Sequence, residues 1–305
     1  MPFCKICTNK KNNRNHQIKE MMFGTRISFE YMECSSCGTI ALVDPPMDMQ
    51  PHYADDYYSY LGLVSSPRWK NILKKIRLSL YLKLNINPPL YGEWIKLSGA
   101  KKHHRIADIG CGNGQLLYEL NACGYQYLEG YDPFIAEDVI VNKSLALYKK
   151  EIFDITAEES FDIIMMHHSF EHMDRPQEIV DKSYELLKLG GLLLIRVPVA
   201  DAQVWENYGV HWVQLDAPRH FFIHTKKSMA IIAENSGFET ERVVFDSTSF
   251  QFWGSELYKA DISLQEGKDL KRFTSEQITA WEKRAEVLNK QQKGDQACFY
   301  LRKRK

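Results

Sequence analysis

A glycine-rich segment near the middle of the chain has the composition of a ligand-binding turn. A short apolar stretch is followed by three glycines at alternate positions, Ile106-Ala-Asp-Ile-Gly-Cys-Gly-Asn-Gly114, and a helical pattern begins at Gln115. Glycine lets the backbone turn sharply and approach a ligand closely, and a helix N-terminus offers unpaired N–H groups. Strand, glycine turn and helix in this order predict a nucleotide-type site at the carboxyl edge of a parallel sheet.

Two carboxylates lie on either side of this turn and restrict what it can bind. Asp108 precedes the first glycine, and Asp132 ends the next apolar stretch, 18 residues after Gly114. A carboxylate at the second position can accept hydrogen bonds from both ribose hydroxyls. A carboxylate beside the turn suits a cationic ligand and would repel a pyrophosphate. The dinucleotide fingerprint would also place its third glycine at position 115, where this chain has glutamine.

Two cysteine pairs near the N-terminus have the spacing of metal knuckles. Cys4 and Cys7 form the first pair and Cys34 and Cys37 the second, with 26 residues between them. Four thiolates at such spacing are the ligand set of a closed structural Zn²⁺ site. A redox role fits less well, because neither pair begins a helix after a strand. We expect a zinc ribbon that clamps the N-terminal segment and helps to position a substrate.

The spacing of Asp108 and the three glycines resembles motif I of the class I S-adenosylmethionine-dependent methyltransferases. The resemblance implies that the turn wraps the methionine half of the cofactor, that Asp108 helps to hold its ammonium group, and that Asp132 binds the ribose. It also implies that Phe153 stacks on adenine and that Asp154 bonds its amino group. The predicted cofactor-binding residues are Asp108, Gly110, Cys111, Gly112, Gly114, Asp132, Pro133, Phe153, Asp154 and His167.

The segment Phe161–His172 resembles the family pattern FDxIxxxxxxEH, whose last residues face the methyl-transfer cleft. The ubiquinone-biosynthesis O-methyltransferases carry E-x-x-E-H here, and some bind a divalent cation. This chain has His168 in place of the first acid, followed by Glu171 and His172, so the ligand set suits a hard cation such as Mg²⁺ poorly. His168 and His172 are candidate general bases, and a capping or core hydrogen bond is the alternative for His172.

A second histidine segment follows the fifth predicted strand. Its residues Trp212, Asp216, Pro218, Arg219 and His220 match a W-x-x-x-D-x-P-R-H pattern that related bacterial methyltransferases often carry. The resemblance implies that this loop covers the acceptor pocket, with Trp212 and Arg219 binding the substrate and His220 as a third candidate base. Arginine suits an anionic acceptor group. The alternative is a pair of Asp216 and Arg219 that only braces the loop.

The N-terminal segment resembles that of bacterial methyltransferases with a zinc ribbon, many of which are encoded with surface-polysaccharide genes. The residues that carry this resemblance run from Phe23 to Gly38 and on through Asp55-Asp-Tyr-Tyr-Ser59. The resemblance suggests a nucleotide-sugar or glycan acceptor. Tyr57 and Tyr58 are placed near the cofactor cleft, although packing is the more common role of such aromatic residues.

The elements that must position these groups follow from the hydrophobic pattern. Apolar runs near 105–109, 127–131, 147–151, 161–167 and 191–198 alternate with helical stretches, and 238–245 and 296–301 are later strand candidates. This pattern predicts an α/β, Rossmann-like fold with a seven-stranded, mostly parallel sheet. We expect a zinc-ribbon domain at 1–46, a helical connector or lid at 47–98, and a methyltransferase domain at 99–305 with a helical insertion at about 249–292.

The helix expected around 67–84 carries an apolar stripe and six basic residues. It could touch a membrane surface or an anionic substrate. The favoured interpretation is a lid helix whose apolar stripe packs on the protein and whose basic face is solvated.

Composition limits the class of protein. Lys and Arg together number 39, as do Asp and Glu, so no global field argues for a nucleic-acid partner. No run approaches the roughly 20 apolar residues that span a bilayer, and Cys4 and Cys7 stand where a signal peptide would be apolar. We expect a cytoplasmic protein without a disulfide framework, and self-association as a homodimer is left open.

The sequence therefore predicts methyl transfer from S-adenosylmethionine to an O, N or C nucleophile of a small-molecule or glycan acceptor. Two alternatives remain at this point. An NAD-dependent oxidoreductase is disfavoured by the residue at position 115, and a non-catalytic zinc-ribbon module that retains the cofactor fold is disfavoured by the intact motif residues.

Overall fold

The computed structural model describes residues 3–53, 62–267 and 269–304, so Tyr57 and Tyr58 lie outside the described residues. The strands are β1 (Arg14–Lys19), β2 (Ser28–Glu33), β3 (Ile40–Leu42), β4 (Arg105–Ile109), β5 (Tyr127–Tyr131), β6 (Val139–Asn142), β7 (Leu145–Tyr148), β8 (Phe161–His167), β9 (Leu187–Pro198), β10 (Phe222–Ile223), β11 (Phe238–Phe245) and β12 (Gln296–Lys303). The α-helices are α1 (Arg68–Leu84), α2 (Gly92–Ser98), α3 (Gln115–Ala122), α4 (Pro176–Leu186), α5 (Gln203–Tyr208), α6 (Lys226–Asn235), α7 (Phe250–Lys259), α8 (Leu264–Gly267) and α9 (Ser275–Lys290).

The larger sheet has the order β11-β12-β9-β8-β4-β5-β7-β6. β4, β5, β7, β8 and β9 pair in parallel, whereas β12 runs antiparallel to both of its neighbours. Parallel strands need crossover connections, and α3 and α4 supply two of them. The predicted Rossmann-like fold with a mostly parallel sheet is confirmed.

The described part of the sheet has one strand more than the seven that the sequence predicts. β6 pairs antiparallel with β7 at the edge, through a hairpin of Lys143 and Ser144. The side chain of Asn142 accepts a hydrogen bond from Ser144 N (2.8 Å), which closes the turn. The third predicted strand, near 147–151, lies at Leu145–Tyr148 because the hairpin shifts it toward the N-terminus.

Both faces of the larger sheet are covered, which explains the continuous apolar strands. Along β8, Ile164 and Met166 pack with α4 and α6, while Ile163 and Met165 pack with α1, α2 and α3. Strands buried on both faces are a property of parallel sheets with helices on each side. The carboxyl ends of β4, β5 and β8 therefore meet at one edge, where the polar residues of the site collect.

The N-terminal segment forms a smaller sheet with the order β1-β2-β3-β10. β10 comes from the chain after β9, and it pairs antiparallel with β3 through Phe222 opposite Ala41 and Ile223 opposite Ile40. Tyr31 Oη on β2 also donates a hydrogen bond to His220 O (2.9 Å). The N-terminal sheet is therefore joined to the loop that precedes β10.

Helix α1 buries the side opposite to the one that the sequence favours. Leu78 and Tyr81 are its buried residues, whereas Trp69, Ile72 and Ile76 of the apolar stripe are largely exposed. The expectation that this stripe packs on the protein is therefore wrong. Among the described residues, none of the helices combines the length and the apolar character needed to cross a bilayer.

Candidate functional site

The glycine turn between β4 and α3 has the backbone that its composition predicts. Gly110 and Gly114 have φ values of +73° and +75°, which disfavour any other residue. A Cβ at Gly110 would lie 2.4 Å from the Cβ of Ser169, and one at Gly114 would lie 2.6 Å from a methyl group of Leu147. Glycine is therefore needed at both positions for conformation and for space.

Asp132 fixes the turn from the end of β5. Its carboxylate accepts hydrogen bonds from Gly112 N (2.9 Å) and Phe134 N (2.9 Å), and Gly110 N donates to Tyr131 O (2.7 Å). A carboxylate has about four acceptor positions, so two remain for hydroxyl groups of a ligand. The structure thus brings the turn and the predicted ribose-binding acid together.

Asp108 lies buried at the end of β4 on the same side of the turn. Burial and the charge of Asp132 raise the pKa of its carboxyl group to about 8. A cationic group placed beside it would favour ionisation and offset both causes. This donor set fits the ammonium and ribose groups of S-adenosylmethionine.

Three other predicted cofactor residues surround the turn. His167 ends β8 with its ring against Trp94 (centroids 4.4 Å apart), and both of its buried ring nitrogens have no hydrogen-bond partner in the described structure. Burial and the charge of Arg196 lower the pKa of His167 well below its usual value, so the ring is neutral. The Sγ of Cys111 lies against Gly130 of β5, so close that a Cβ at position 130 would be only 2.6 Å from it. Pro133 is half-buried.

Phe153 and Asp154 lie in a short 3₁₀ turn, 152–154, after β7. The guanidinium of Arg175 lies 4.3 Å from the ring centroid of Phe153, so one ring face is covered. Asp154 accepts a hydrogen bond from Glu151 N (3.0 Å) as part of a capping box. Their adenine contacts remain predictions.

His168 is held on both of its ring nitrogens. Nδ1 lies 3.2 Å from Glu171 Oε1, and Nε2 contacts a guanidinium nitrogen of Arg196. Because arginine can only donate, Nε2 accepts and Nδ1 carries the proton that is donated to Glu171. This arrangement leaves His168 poorly placed to accept a proton from a substrate.

Among the described residues, His172 and His220 each have one ring nitrogen without a hydrogen-bond partner, although His220 Nε2 lies 3.8 Å from Asp216 Oδ2. His172 Nδ1 lies 2.9 Å from Arg219 O, and His220 Nδ1 lies 2.8 Å from Gln214 O. A carbonyl only accepts, so Nδ1 is protonated in both rings and Nε2 is left as an acceptor. The rings contact edge to face, with centroids 4.7 Å apart. Burial and the neighbouring His172 lower the pKa of His220 to about 4.

Glu171 supplies a buried negative charge to these histidines. Its side chain is fully buried, and Oε2 has no hydrogen-bond partner in the part of the chain that the structure describes. Burial alone would raise the pKa of this carboxyl group, but the hydrogen bond from His168 and the adjacent histidines hold it at about 2. Glu171 is therefore ionised at neutral pH.

Glu171, His172 and His220 form one cluster, which we call the Glu-His-His cluster. One ligand atom from each lies within 4.8 Å of the other two. Two histidines and a carboxylate can hold a transition metal, and they can equally act as a carboxylate-imidazole pair in proton transfer. The cluster lies on the wall of a cavity of about 270 Å³, together with Met22, Phe250 and Tyr258.

Arg219 braces the loop instead of facing this cavity. Its guanidinium is fully buried and donates to Asp216, to Glu20 Oε1 (3.0 Å) and to His52 O (2.9 Å). It also lies 4.9 Å from the ring centroid of Phe23. The geometry favours the bracing role, and acceptor binding by Arg219 would require this network to open.

Trp212 is likewise buried, and its Nε1 donates to Asp295 Oδ2 (3.1 Å). Asp295, Glu20 and Arg196 are partners of the site that the sequence did not predict. Each lies far along the chain from the residue that it contacts, and no motif marks it.

The four cysteines form a second cluster that could hold a metal. Cys4 Sγ lies 3.6 Å from Cys37 Sγ, and Cys7 Sγ lies 3.5 Å from Cys34 Sγ. Tetrahedral Zn²⁺ with Zn–S bonds of about 2.3 Å would place the sulfurs about 3.8 Å apart. Thr8 and Gly38, which follow the second cysteine of each pair, both have positive φ. Their backbone N–H groups donate hydrogen bonds to the carbonyl oxygens of Cys4 and Cys34. The geometry fits zinc.

Comparisons with known proteins agree with this fold. A profile described as a methyltransferase domain matches residues 86–243, just over half of the chain. The tRNA U34 carboxymethyltransferase of Helicobacter acinonychis (strain Sheeba) is 28% identical over 122 residues, which cover 35% of this chain and only 45% of that relative.

Crystal structures of S-adenosylmethionine-dependent methyltransferases from Mesorhizobium loti and Archaeoglobus fulgidus each align with 70% of this chain. The first is 13% identical with a TM-score of 0.45 over 97% of its length, and the second is 17% identical with a TM-score of 0.42 over 100%. The profile match covers the glycine turn, both flanking acids and the Glu171–His172 pair. The chain belongs to the methyltransferase-domain family of S-adenosylmethionine-dependent enzymes.

Proposed function

We propose that this methyltransferase methylates a hydroxyl group of a small-molecule acceptor, a nucleotide sugar or glycan, with His172 as the general base. The observation that supports the proposal is the proximity of an ionised, buried Glu171 to a half-buried His172, within 4.8 Å, on the wall of a cavity. A hydroxyl group is a weak nucleophile, so transfer to it gains from a positioned base.

The proposal gives each site residue a role. Asp108, Asp132 and the turn bind and orient the cofactor, which supplies a sulfonium methyl group when bound. His172 Nε2 accepts the acceptor's proton while the new O–CH₃ bond forms and the S–CH₃ bond breaks. The carboxylate of Glu171 stabilises the resulting imidazolium, and His172, being half-buried, can return the proton to water.

His220 is better suited to shape the cavity than to act as the base. Its low pKa, about 4, makes its imidazolium form costly at neutral pH. His168 has no free nitrogen, as described above. Of the three predicted bases, His172 therefore has the best combination of a free acceptor atom, access to the cavity and a carboxylate beside it.

The acceptor class rests on the sequence resemblance to polysaccharide-linked methyltransferases and on the size of the cavity. About 270 Å³ can enclose the reacting end of a sugar and is close to the lower limit of ligand pockets. A tRNA acceptor, as named for the Helicobacter relative, has less support, because basic and acidic residues are balanced at 39 each. We also propose one structural Zn²⁺ on the four cysteines and a cytoplasmic location.

The test is turnover with labelled S-adenosylmethionine against pools of nucleotide sugars and glycans. With an acceptor found, His172→Gln is expected to lower kcat by about 10²–10⁴ while the Kd of S-adenosylhomocysteine stays unchanged. The exposed His211 provides a matched control, and His211→Gln should keep full activity. Full activity in His172→Gln would remove the base from this proposal.

A further inference from the structure

Helix α1 presents an apolar stripe to solvent. Its members recur at positions 69, 72, 73, 76, 80 and 84, a helical spacing that places them within an arc of about 120°. The exposed fraction lies between 44% and 60% for all six residues, Trp69, Ile72, Leu73, Ile76, Leu80 and Leu84. Leu78 and Tyr81 anchor the opposite side of α1 to the protein. A continuous exposed stripe of this kind is uncommon on a soluble monomer and marks an interaction surface.

Basic residues flank this stripe on both sides. With about 100° per residue, Lys70 and Arg77 lie on one side of the stripe, and Arg68 and Lys75 lie on the other. The sequence of α1, RWKNILKKIRLSLYLKL, contains six basic residues and no acidic residue. Lys74 is paired with Glu119 of α3 (2.7 Å), but Arg68 and Lys75 have no acidic partner in the described structure.

We propose that this face of α1 docks the protein onto an anionic membrane surface. An outward apolar stripe with tryptophan and leucine, flanked by lysine and arginine, is the pattern of a helix that lies in a lipid interface. The apolar side chains enter the acyl boundary while the flanking cations reach anionic headgroups. Leu90, in the loop after α1, is 86% exposed and adds apolar surface nearby.

Two other occupants fit the observations less well. A second copy of the chain would bring two α1 helices together, and each carries only positive charge, so they would repel. An RNA would be attracted by the cations, but all five aliphatic members of the stripe are leucine or isoleucine, which offer neither stacking nor hydrogen bonds. An anionic bilayer uses both the charge and the apolar surface.

The test is co-sedimentation of the full chain with lipid vesicles. We expect binding to phosphatidylcholine vesicles that contain phosphatidylglycerol, little binding to phosphatidylcholine alone, and weaker binding at high salt. The double variant Leu73→Ser, Ile76→Ser should lower vesicle affinity by about tenfold or more, because both side chains enter the lipid. The matched control is Ile140→Ser on β6, which is 67% exposed and distant in sequence, and it should bind as the wild type does.

Three results would overturn the proposal. The first is absence of binding to anionic vesicles by protein that still binds S-adenosylhomocysteine. The second is a concentration-dependent dimer in sedimentation velocity that the double variant abolishes, which would assign the stripe to a second copy. The third is salt-sensitive binding to oligouridine that displaces the vesicles and is unaffected by the double variant, which would assign the face to RNA.

Discussion

The proposed cofactor half and the proposed acceptor half of this site are built in different ways. The cofactor half consists of the glycine turn, Asp108 and Asp132, which all lie within residues 105–132 of one strand-helix-strand unit. The acceptor half combines the Glu-His-His cluster with Met22 and with the Arg219 network, which includes Glu20 from the N-terminal segment. The first half depends on local geometry, whereas the second depends on contacts between distant segments.

This difference gives the N-terminal sheet a role beyond holding the four-cysteine cluster. The sheet includes β10, it bonds to His220 O through Tyr31, and Glu20 beside it pairs with Arg219. His220 and the carbonyl that orients His172 both belong to the loop held in this way. Damage to the N-terminal segment should therefore disable the acceptor half and spare the cofactor half.

The largest expected effect comes from removing one of the four proposed zinc ligands. Cys34→Ser should abolish zinc binding and unfold β1–β3 locally, because structural zinc contributes on the order of 10 kcal/mol to the folding of small sites. We expect methyl transfer to be lost while calorimetry shows binding of S-adenosylhomocysteine within about threefold of wild type, a factor worth less than about 1 kcal/mol. Metal analysis and hydrogen exchange would follow the zinc and the sheet.

The control for this variant is Cys298→Ala, which removes a buried thiol of β12 outside both clusters and should keep zinc and activity. If Cys34→Ser lost cofactor binding as completely as it lost activity, the two halves would not be separable.

A smaller effect is expected from opening the Arg219 network. Arg219→Met leaves the buried Glu20 and the partly buried Asp216 without their cation, which should lower the free energy of unfolding by about 3–5 kcal/mol. Urea denaturation would measure the loss, and the KM for the acceptor should rise while cofactor affinity is kept. Arg304→Met breaks an exposed pair with Glu239 and should cost less than about 1 kcal/mol. Equal losses in the two variants would contradict the bracing role.

The same contrast explains what the sequence could reveal. The D-x-G-x-G-x-G spacing and the knuckle cysteines are local patterns. The turn, Asp132 and the four-cysteine cluster were therefore predicted from the sequence. The N-terminal contribution of Glu20 was not, because it lies 199 residues from Arg219 and no periodicity links them. The strand β6 was missed although it carries the β-branched residues Val139, Ile140 and Val141, because a run of only four residues at a sheet edge is too short to show a period.

On the cofactor side, Asp132→Ala should weaken binding of S-adenosylhomocysteine by about 1–3 kcal/mol. The substitution removes the ribose acceptor and also the bonds to Gly112 N and Phe134 N, so the turn loses its anchor. Calorimetry would measure the affinity. Asp154→Ala is the matched comparison, because its carboxylate already caps Glu151 N, and it should have the smaller effect. The reverse order would move the ribose site away from β5.

The smallest effect near neutral pH, and the most specific, concerns the pH dependence of cofactor binding. The pKa of Asp108 in the free protein is about 8, because of burial and of Asp132, and a cationic ligand binds best to its ionised form. Affinity should therefore rise about tenfold per pH unit below pH 8 and level off above it, with release of up to one proton on binding.

In Asp108→Asn this rise should vanish, while titration of the ligand's own ammonium group, present in both proteins, remains. The sign for stability is opposite: because the folded pKa is raised, the contribution of Asp108 falls as pH increases from about 4 to about 8. Calorimetry in buffers of different ionisation enthalpy would count the protons, and equal pH profiles in the two proteins would show that Asp108 does not meet the cation.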